Sequence, residues 1–136
     1  MSWDLNEPDR SFQFGRLLAA MDQAEADYYY LNGEKERQTN ALKMMGAFRR
    51  RPFTVYEQVN LQLTNAYLPR LKPWQKNRYQ RAKAEIVSII SSFPKEELNK
   101  PLSELYLLGY DLQRRAFNKT DDKKEDTENE QVRAQG

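Results

Sequence analysis

The sequence predicts an all-α fold, a compact bundle of about five helices followed by a disordered, charged C-terminal tail. Apolar residues recur at spacings of three and four along most of the 136-residue chain, which is the period of an amphipathic helix. Prolines stand where these periodic segments begin or end. No stretch of convincing length alternates in the manner of a strand. We expect a lead-in over 1–9, a helical-bundle domain over 10–118 and the tail over 119–136.

The first predicted helix has its start and its end marked in the sequence. Asp9 or Ser11 can cap the start, because a short polar side chain accepts a hydrogen bond from the first free backbone N–H groups. Asn32-Gly33 would end the helix, since both residue types tolerate the left-handed conformation. The apolar positions between these signals form a stripe: Phe14, Leu17, Leu18, Met21, Ala24, Tyr28 and Leu31.

The second and third predicted helices meet at Pro52. A short helix over about 38–49 ends there, because the residue before a proline avoids the helical region. Pro52 itself suits the first turn of the next helix, where its missing N–H costs no hydrogen bond. We expect that third helix to fray or kink near Pro69. Its apolar stripe is Tyr56, Val59, Leu63, Ala66 and Tyr67.

The fourth and fifth predicted helices are also bounded by prolines. Pro73 opens the fourth and Pro94 ends it, with Tyr79, Ala82, Ile86, Ile89, Ile90 and Phe93 inward. Asn99 and Pro101 start the fifth, with Leu102, Leu105, Leu108, Leu112 and Ala116 on one side. Gly109 within this helix costs about 1 kcal/mol of helix propensity relative to alanine. A close crossing with another helix would offset that cost, since glycine lets two backbones approach.

The composition argues against an enzyme, a cofactor and a membrane protein. The chain has no Cys and no His, which excludes disulfides, thiolate metal sites and a cysteine nucleophile, and removes the most common general base. The acidic residues fall on predicted solvent faces or in the tail. The N-terminus is acidic without an apolar run, so we expect no signal peptide, and no run is long enough to span a bilayer. We expect a soluble, cytoplasmic protein.

The charge is concentrated in one part of the chain. Residues 1–42 have a net charge of −4, whereas residues 43–83 carry ten basic side chains against Glu57 alone. Such a segment makes a local positive field that attracts phosphates. The candidate nucleic-acid-binding residues are therefore Lys43, Arg49, Arg50, Arg51, Arg70, Lys72, Lys76, Arg78, Arg81 and Lys83. A solvated face, or a face that docks on an acidic protein, would produce the same pattern.

Aromatic residues near this segment permit two interpretations. Trp74 is a candidate for stacking on a nucleic-acid base, but a helix–helix anchor is an equally good interpretation. Tyr67 and Tyr79 lie on the apolar stripes and are expected in the core. The run Tyr28–Tyr30 is expected to divide between core and rim.

Three segments carry a resemblance to a known family. Asp9-Arg10-Ser11-Phe12-Gln13-Phe14-Gly15-Arg16-Leu17-Leu18-Ala19 resembles the start of the C-terminal helical domain in the large subunit of the type I-C CRISPR Cascade complex, the Csd family. Leu108-Gly109-Tyr110-Asp111-Leu112-Gln113-Arg114-Arg115-Ala116-Phe117 is similar to that domain's closing helix. Gly46-Ala47, Pro52 and Val55-Tyr56 resemble its middle landmarks. The agreement in order and spacing covers about residues 9–118.

The resemblance implies a function without catalysis. In that family the helical domain is also produced alone, by internal translation within the large-subunit gene, and its free copies act as small subunits. They line the DNA path while the guide RNA invades the duplex to form the R-loop, and they help to hold the displaced non-target strand. The implied partners are the large subunit, the backbone subunits, further copies of the chain and the target DNA.

Together, the resemblance and the charge predict a small subunit that stabilises the R-loop through a basic face. The alternative is a purely architectural helical subunit that bridges other subunits without touching DNA.

Overall fold

A computed structural model describes residues 4–119 of the chain, and these residues contain helices and no strand. The helices are α1 (Arg10–Leu31), α2 (Asn40–Lys43), α3 (Met45–Arg50), α4 (Pro52–Gln62), α5 (Pro73–Ile90) and α6 (105–119). A π turn (Leu63–Tyr67) and a 3-10 turn (Leu68–Arg70) extend α4, and a 3-10 turn (Lys95–Glu97) follows α5. The all-α prediction is confirmed. Lys119 is still helical, and the rest of the predicted tail lies outside the described residues.

Helix α1 is the central element of the bundle. Every residue from Ser11 to Asp22 is buried, because α5 packs along one side and α4, the α2–α3 pair and α6 cover the others. Asp9 caps the start by accepting a hydrogen bond from the Phe12 N–H at 2.9 Å. Asn32 ends the helix, and Gly33 follows with a positive φ of 75°. Both predicted boundary signals are therefore confirmed.

The polar side of α1 is buried as well, which the sequence pattern did not predict. Arg16 is 1% exposed, and its guanidinium donates to Gln113 Oε1 at 2.8 Å and to Glu85 Oε1 at 3.0 Å. It also donates to the Leu5 carbonyl at 2.7 Å, which ties the lead-in to the bundle. Buried polar groups are tolerated when they are paired in this way.

The acidic residues of α1 also point inward, so the expectation that they face solvent is wrong for Asp22 and Glu25. Asp22 accepts hydrogen bonds from Thr39 Oγ1 at 2.6 Å and from the Tyr110 hydroxyl at 2.7 Å. Glu25 accepts from the backbone N–H groups of Asn40 and Ala41 at 2.7 and 2.9 Å. Burial raises the pKa of Glu25 above its usual value, and these two hydrogen bonds oppose that rise.

The predicted second helix is divided in two. Thr39 caps α2 through a hydrogen bond from Leu42 N, and the chain leaves helical geometry at Met44, where φ is −95° and ψ is 10°. Helix α3 then places Phe48 edge-on against Phe14, with 6.1 Å between the ring centroids. No proline or glycine stands at Met44, so the sequence contained no signal for this break.

The kink predicted near Pro69 is present and changes which residues face the core. Proline has no N–H and its ring clashes with the carbonyl four residues earlier, so a regular α-helix cannot continue through Pro69. The chain forms a π turn in which Leu68 N donates to Leu63 O. Leu63 and Leu68 are therefore both buried, whereas Ala66, which we expected on the inward stripe, is exposed.

Helix α5 follows its prediction closely. Pro73 lies in its first turn. The backbone N–H of Lys72, just before the helix, donates to Gln75 Oε1 at 3.0 Å, so this N–H has a hydrogen-bond partner. The inward residues Tyr79, Ala82, Ile86 and Ile90 are buried, and Ile89 and Phe93 are half-buried. The helix ends at Ile90 rather than at Pro94.

Helix α6 starts later than predicted and buries a different face. Its helical residues begin at 105, and the face toward α1 and α5 contains Tyr106, Gly109, Gln113 and Phe117. The predicted stripe Leu105, Leu108, Leu112 and Ala116 is only half-buried, and Leu102 is buried but precedes the helix.

A close crossing of α1 and α6 determines this orientation. A Cβ at Gly109 would overlap the carbonyl of Phe12, and one at Gly15 would overlap the carbonyl of Tyr106. The crossing predicted at Gly109 is therefore confirmed. No helix of the described residues is both long and apolar enough to cross a membrane.

Candidate nucleic-acid interface

The first basic group is Arg49, Arg50 and Arg51, at the junction between α3 and α4. All three side chains are exposed. The junction is held to the segment before α6, because Leu102 N donates to the Arg49 carbonyl at 2.8 Å. The Arg49 guanidinium also lies 5.8 Å from the Tyr106 ring centroid, so Arg49 has a packing contact in addition to its exposed charge.

The second basic group is Arg70, Lys72 and Lys76, at the turn between α4 and α5. Arg70 ends the 3-10 turn, Lys72 immediately precedes α5, and Lys76 lies in its first turns. All three are exposed. Within residues 4–119, no member of either basic group forms an ion pair. Both groups therefore present positive charge that these residues do not neutralise.

The two groups lie at opposite ends of α4. Residues 52–70 are helical throughout, and at about 1.5 Å per residue Arg51 and Arg70 are about 25–30 Å apart. That distance corresponds to roughly eight nucleotides of a B-form strand at about 3.4 Å each. The structure does not join them into one compact patch.

The other candidate residues point in different directions. Lys83 is half-buried toward α4, with its Nζ 3.4 Å from Asn60 Oδ1, and burial lowers its pKa below the usual value. Arg81 is exposed on the side of α5 that faces α6, in a cleft that Ala116 and Phe117 also line. Lys43 is exposed at the end of α2.

Arg78 is placed inside the bundle rather than on the predicted surface. It is 6% exposed and forms an ion pair with Asp27 of α1. Its guanidinium lies over two rings, 5.0 Å from the centroid of Trp74 and 5.2 Å from that of Phe117. The sequence did contain a signal for the burial of Arg78, because Arg78 has helical spacing with Gln75 and Ala82 on the buried face of α5. Trp74 is half-buried beside it, which favours the anchor interpretation.

The tyrosines expected in the core are distributed largely as predicted. Tyr79 is buried and donates to Asn60 Oδ1 at 2.6 Å. Tyr29 is buried, whereas Tyr30 is 69% exposed. Tyr67 is half-buried, with its ring centroid 4.4 Å from that of Tyr28. The division of the tyrosine run between core and rim is confirmed.

A partly apolar face on α4 was not identified from the sequence. Leu61 is 61% exposed, and the half-buried rings of Phe53 and Tyr56 lie 5.9 Å apart beside it. One side of this ring pair opens on a cavity of about 240 Å³ lined by Val87, Ile90, Leu98 and others. The apolar stripe predicted for this helix contained Tyr56 and did not contain Leu61. A face of this kind suits contact with another protein.

The comparison with protein families agrees with the resemblance found in the sequence. Residues 1–118 match the family model described as CRISPR-associated protein (Cas_Csd1). No curated protein and no solved structure matches the chain. Because the match covers most of the 136 residues, the chain belongs to the Cas_Csd1 family of CRISPR-associated proteins, the Csd family of the type I-C Cascade.

Proposed function

We propose that this chain is a non-catalytic small subunit of a type I-C Cascade complex and stabilises the R-loop by contacting DNA backbone, chiefly that of the displaced non-target strand. The observation that carries the proposal is the pair of exposed basic groups, whose members form no ion pair within residues 4–119, in a chain of the Csd family. Its partners would be the large subunit, the backbone subunits, further copies and the guide-directed target DNA, in the cytoplasm.

The physical basis is the small free-energy difference in R-loop formation. The RNA–DNA heteroduplex is about as stable as the DNA duplex that it replaces, so modest contacts to a displaced strand shift the equilibrium. Each phosphate that an arginine or lysine neutralises also releases counterions. Two groups whose members Arg51 and Arg70 are about 25–30 Å apart suit an extended strand better than a compact ligand. No chemical step and no cofactor is needed for this activity.

The test is R-loop formation by a type I-C complex purified without its small subunit. Permanganate footprinting of the displaced strand would be compared after adding back the wild-type chain or the double variant Arg50→Glu, Arg51→Glu. Arg49 is left unchanged because its guanidinium contacts the Tyr106 ring and the Leu102 carbonyl within the fold. We expect the wild type to restore the footprint and the variant to restore much less.

The matched control is the double variant Lys35→Glu, Lys95→Glu. Both lysines are exposed and lie outside the basic groups, and the change in net charge is the same. This control should behave like the wild type. If all three proteins enter the complex equally and restore the footprint equally, the first basic group does not contact DNA in the R-loop.

The architectural alternative is favoured by the apolar face of α4. Leu61 is exposed beside Phe53 and Tyr56, in the manner of a protein-contact surface. If this chain only bridges subunits, Leu61→Glu should reduce its incorporation into the complex, and charge reversal at Arg50 and Arg51 should have no effect on the footprint.

A further inference from the structure

We propose that the chain's own acidic C-terminal segment, residues 120–136, docks on Arg81 and the second basic group and competes there with nucleic-acid phosphates. The docking itself requires no nucleic acid. The competition rests on the proposed function.

The first support is the place to which α6 brings the chain. Phe117 is buried near the end of the described residues and lies under the Arg78 guanidinium of α5. Ala116 and Phe117 share with Arg81 a cleft of about 270 Å³ between α6 and α5. The segment after Lys119 therefore starts next to the helix that carries Arg81 and Lys76.

The second support is charge complementarity. Residues 120–136 contain six acidic side chains against three basic ones: Asp121, Asp122, Glu125, Asp126, Glu128 and Glu130 against Lys123, Lys124 and Arg133. The first two carboxylates follow Lys119 by only two and three residues. Arg81 is exposed and forms no ion pair within the part of the chain that the structure describes. Carboxylates and phosphates bind to the same guanidinium and ammonium groups.

The third support is reach. Measured along the α5 axis, Lys76 lies about 8 Å and Lys72 about 14 Å before Arg81, at 1.5 Å per residue, and at 3.6 residues per turn both lie on a different side of this helix. An extended chain covers about 3.3–3.6 Å per residue, so the acidic run from Asp121 to Glu130 spans this distance easily. In the first basic group, Arg49 lies against Tyr106, about 16 Å back along α6 from Phe117. The docking should therefore favour the second group over the first.

Covalent attachment makes weak contacts sufficient. A single exposed ion pair contributes little, but a tethered segment is present at an effective concentration in the millimolar range. Several weak pairs can then occupy the basic side chains until a longer polyanion displaces them. The tail would thus reduce binding to short, unspecific strands more than binding to a strand held in the complex.

The test uses the full chain and its lack of cysteine. Because the sequence has no Cys, Thr127→Cys introduces a single site for a nitroxide spin label. We expect paramagnetic broadening of the backbone amide NMR signals of residues 70–81 to exceed that of residues 49–51. The excess should disappear in about 0.5 M salt, because exposed charge pairs are screened there.

The control is the same labelled chain with a neutralised tail, in which the acids become amides: Asp121→Asn, Asp122→Asn, Glu125→Gln, Asp126→Asn, Glu128→Gln and Glu130→Gln. It should lose the excess broadening. Equal broadening at both basic groups, or broadening that survives neutralisation, would overturn the docking.

The competition is tested separately by the affinity for a short oligothymidine. The unlabelled neutralised chain should bind it roughly three- to tenfold more tightly than the wild type. If the NMR result holds but neither chain binds the oligonucleotide, the docking stands and the proposed DNA contact fails. If both chains bind with the same affinity, the competition is wrong.

Discussion

Arg78 and Arg81 stand three residues apart on α5 and have different roles. Arg78 lies on the buried face, where Asp27 and two aromatic rings surround its guanidinium. Arg81 is exposed. The sequence gives both residues the same charge and the same neighbours in the basic segment, so charge alone cannot separate them. The position relative to the apolar stripe does separate them.

This difference predicts opposite results for two alanine substitutions. Arg78→Ala removes the buried side of the ion pair with the half-buried Asp27 carboxylate, which keeps its hydrogen bond from Gln23 at 2.8 Å, and should lower the free energy of unfolding by about 3–5 kcal/mol. Arg81→Ala, on the same helix, should change it by less than about 0.5 kcal/mol. Urea denaturation measures both values. A loss for Arg78→Ala as small as that expected for Arg81→Ala would show that Arg78 is not a structural residue.

Glu25 gives a prediction of pH dependence. Burial raises its pKa in the folded chain above the unfolded value of 4.5, so the folded state holds this proton more tightly than the unfolded state. The wild type should therefore gain stability relative to Glu25→Gln as the pH falls from neutral through the raised pKa toward 4.5. The difference in free energy of unfolding between the two proteins, measured across that range, checks the sign. A free energy of unfolding that falls in the wild type relative to Glu25→Gln on acidification would contradict it.

The crossing of α1 and α6 is the decisive contact between elements. Gly15 and Gly109 let each helix meet a backbone carbonyl of the other, at Tyr106 and Phe12. This contact turns Tyr106, Gln113 and Phe117 inward and leaves the leucines of α6 half-exposed. The most apolar face of a helix is therefore not always the one that packs closest.

Three glycine substitutions test this crossing. Gly15→Ala and Gly109→Ala force the two backbones apart, and each should cost about 1–3 kcal/mol of stability or more. Gly46→Ala is the control, because the position is helical and exposed, and a Cβ there meets nothing within 4 Å. It should stabilise the protein by about 0.5–1 kcal/mol. Thermal or urea unfolding measures all three. A gain at Gly15 and Gly109 similar to that at Gly46 would show that only helix propensity changes and that the backbones do not cross closely.

At the scale of the whole molecule, the fold separates one basic segment of the sequence into two groups. Helix α4 and the two turns that extend it place Arg51 and Arg70 about 25–30 Å apart. A ligand must be long enough to reach both before the second contact adds to the first.

The separation predicts a dependence on strand length. Affinity for oligothymidine should rise by at least about tenfold once the strand can bridge both groups, between roughly six and twenty nucleotides. Arg50→Glu with Arg51→Glu should remove that rise and leave binding of the shorter strand nearly unchanged. Fluorescence anisotropy at one fixed salt concentration gives these affinities. A smooth increase with length in both proteins would argue for a single diffuse surface.

The sequence by itself determined the helical class, the prolines that open α4 and α5, the cap at Asp9 and the membership in the Csd family. These features are local, since a cap, a proline or a motif acts within a few residues. The tertiary structure alone decided which face α6 buries, that Asp27 pairs with Arg78, and that the basic residues form two separated groups. Each of these depends on a partner distant in the chain, such as Gly15 or Asp27. A pattern of spacing and charge carries no information about the distance between such partners, because that distance is set only when the helices pack.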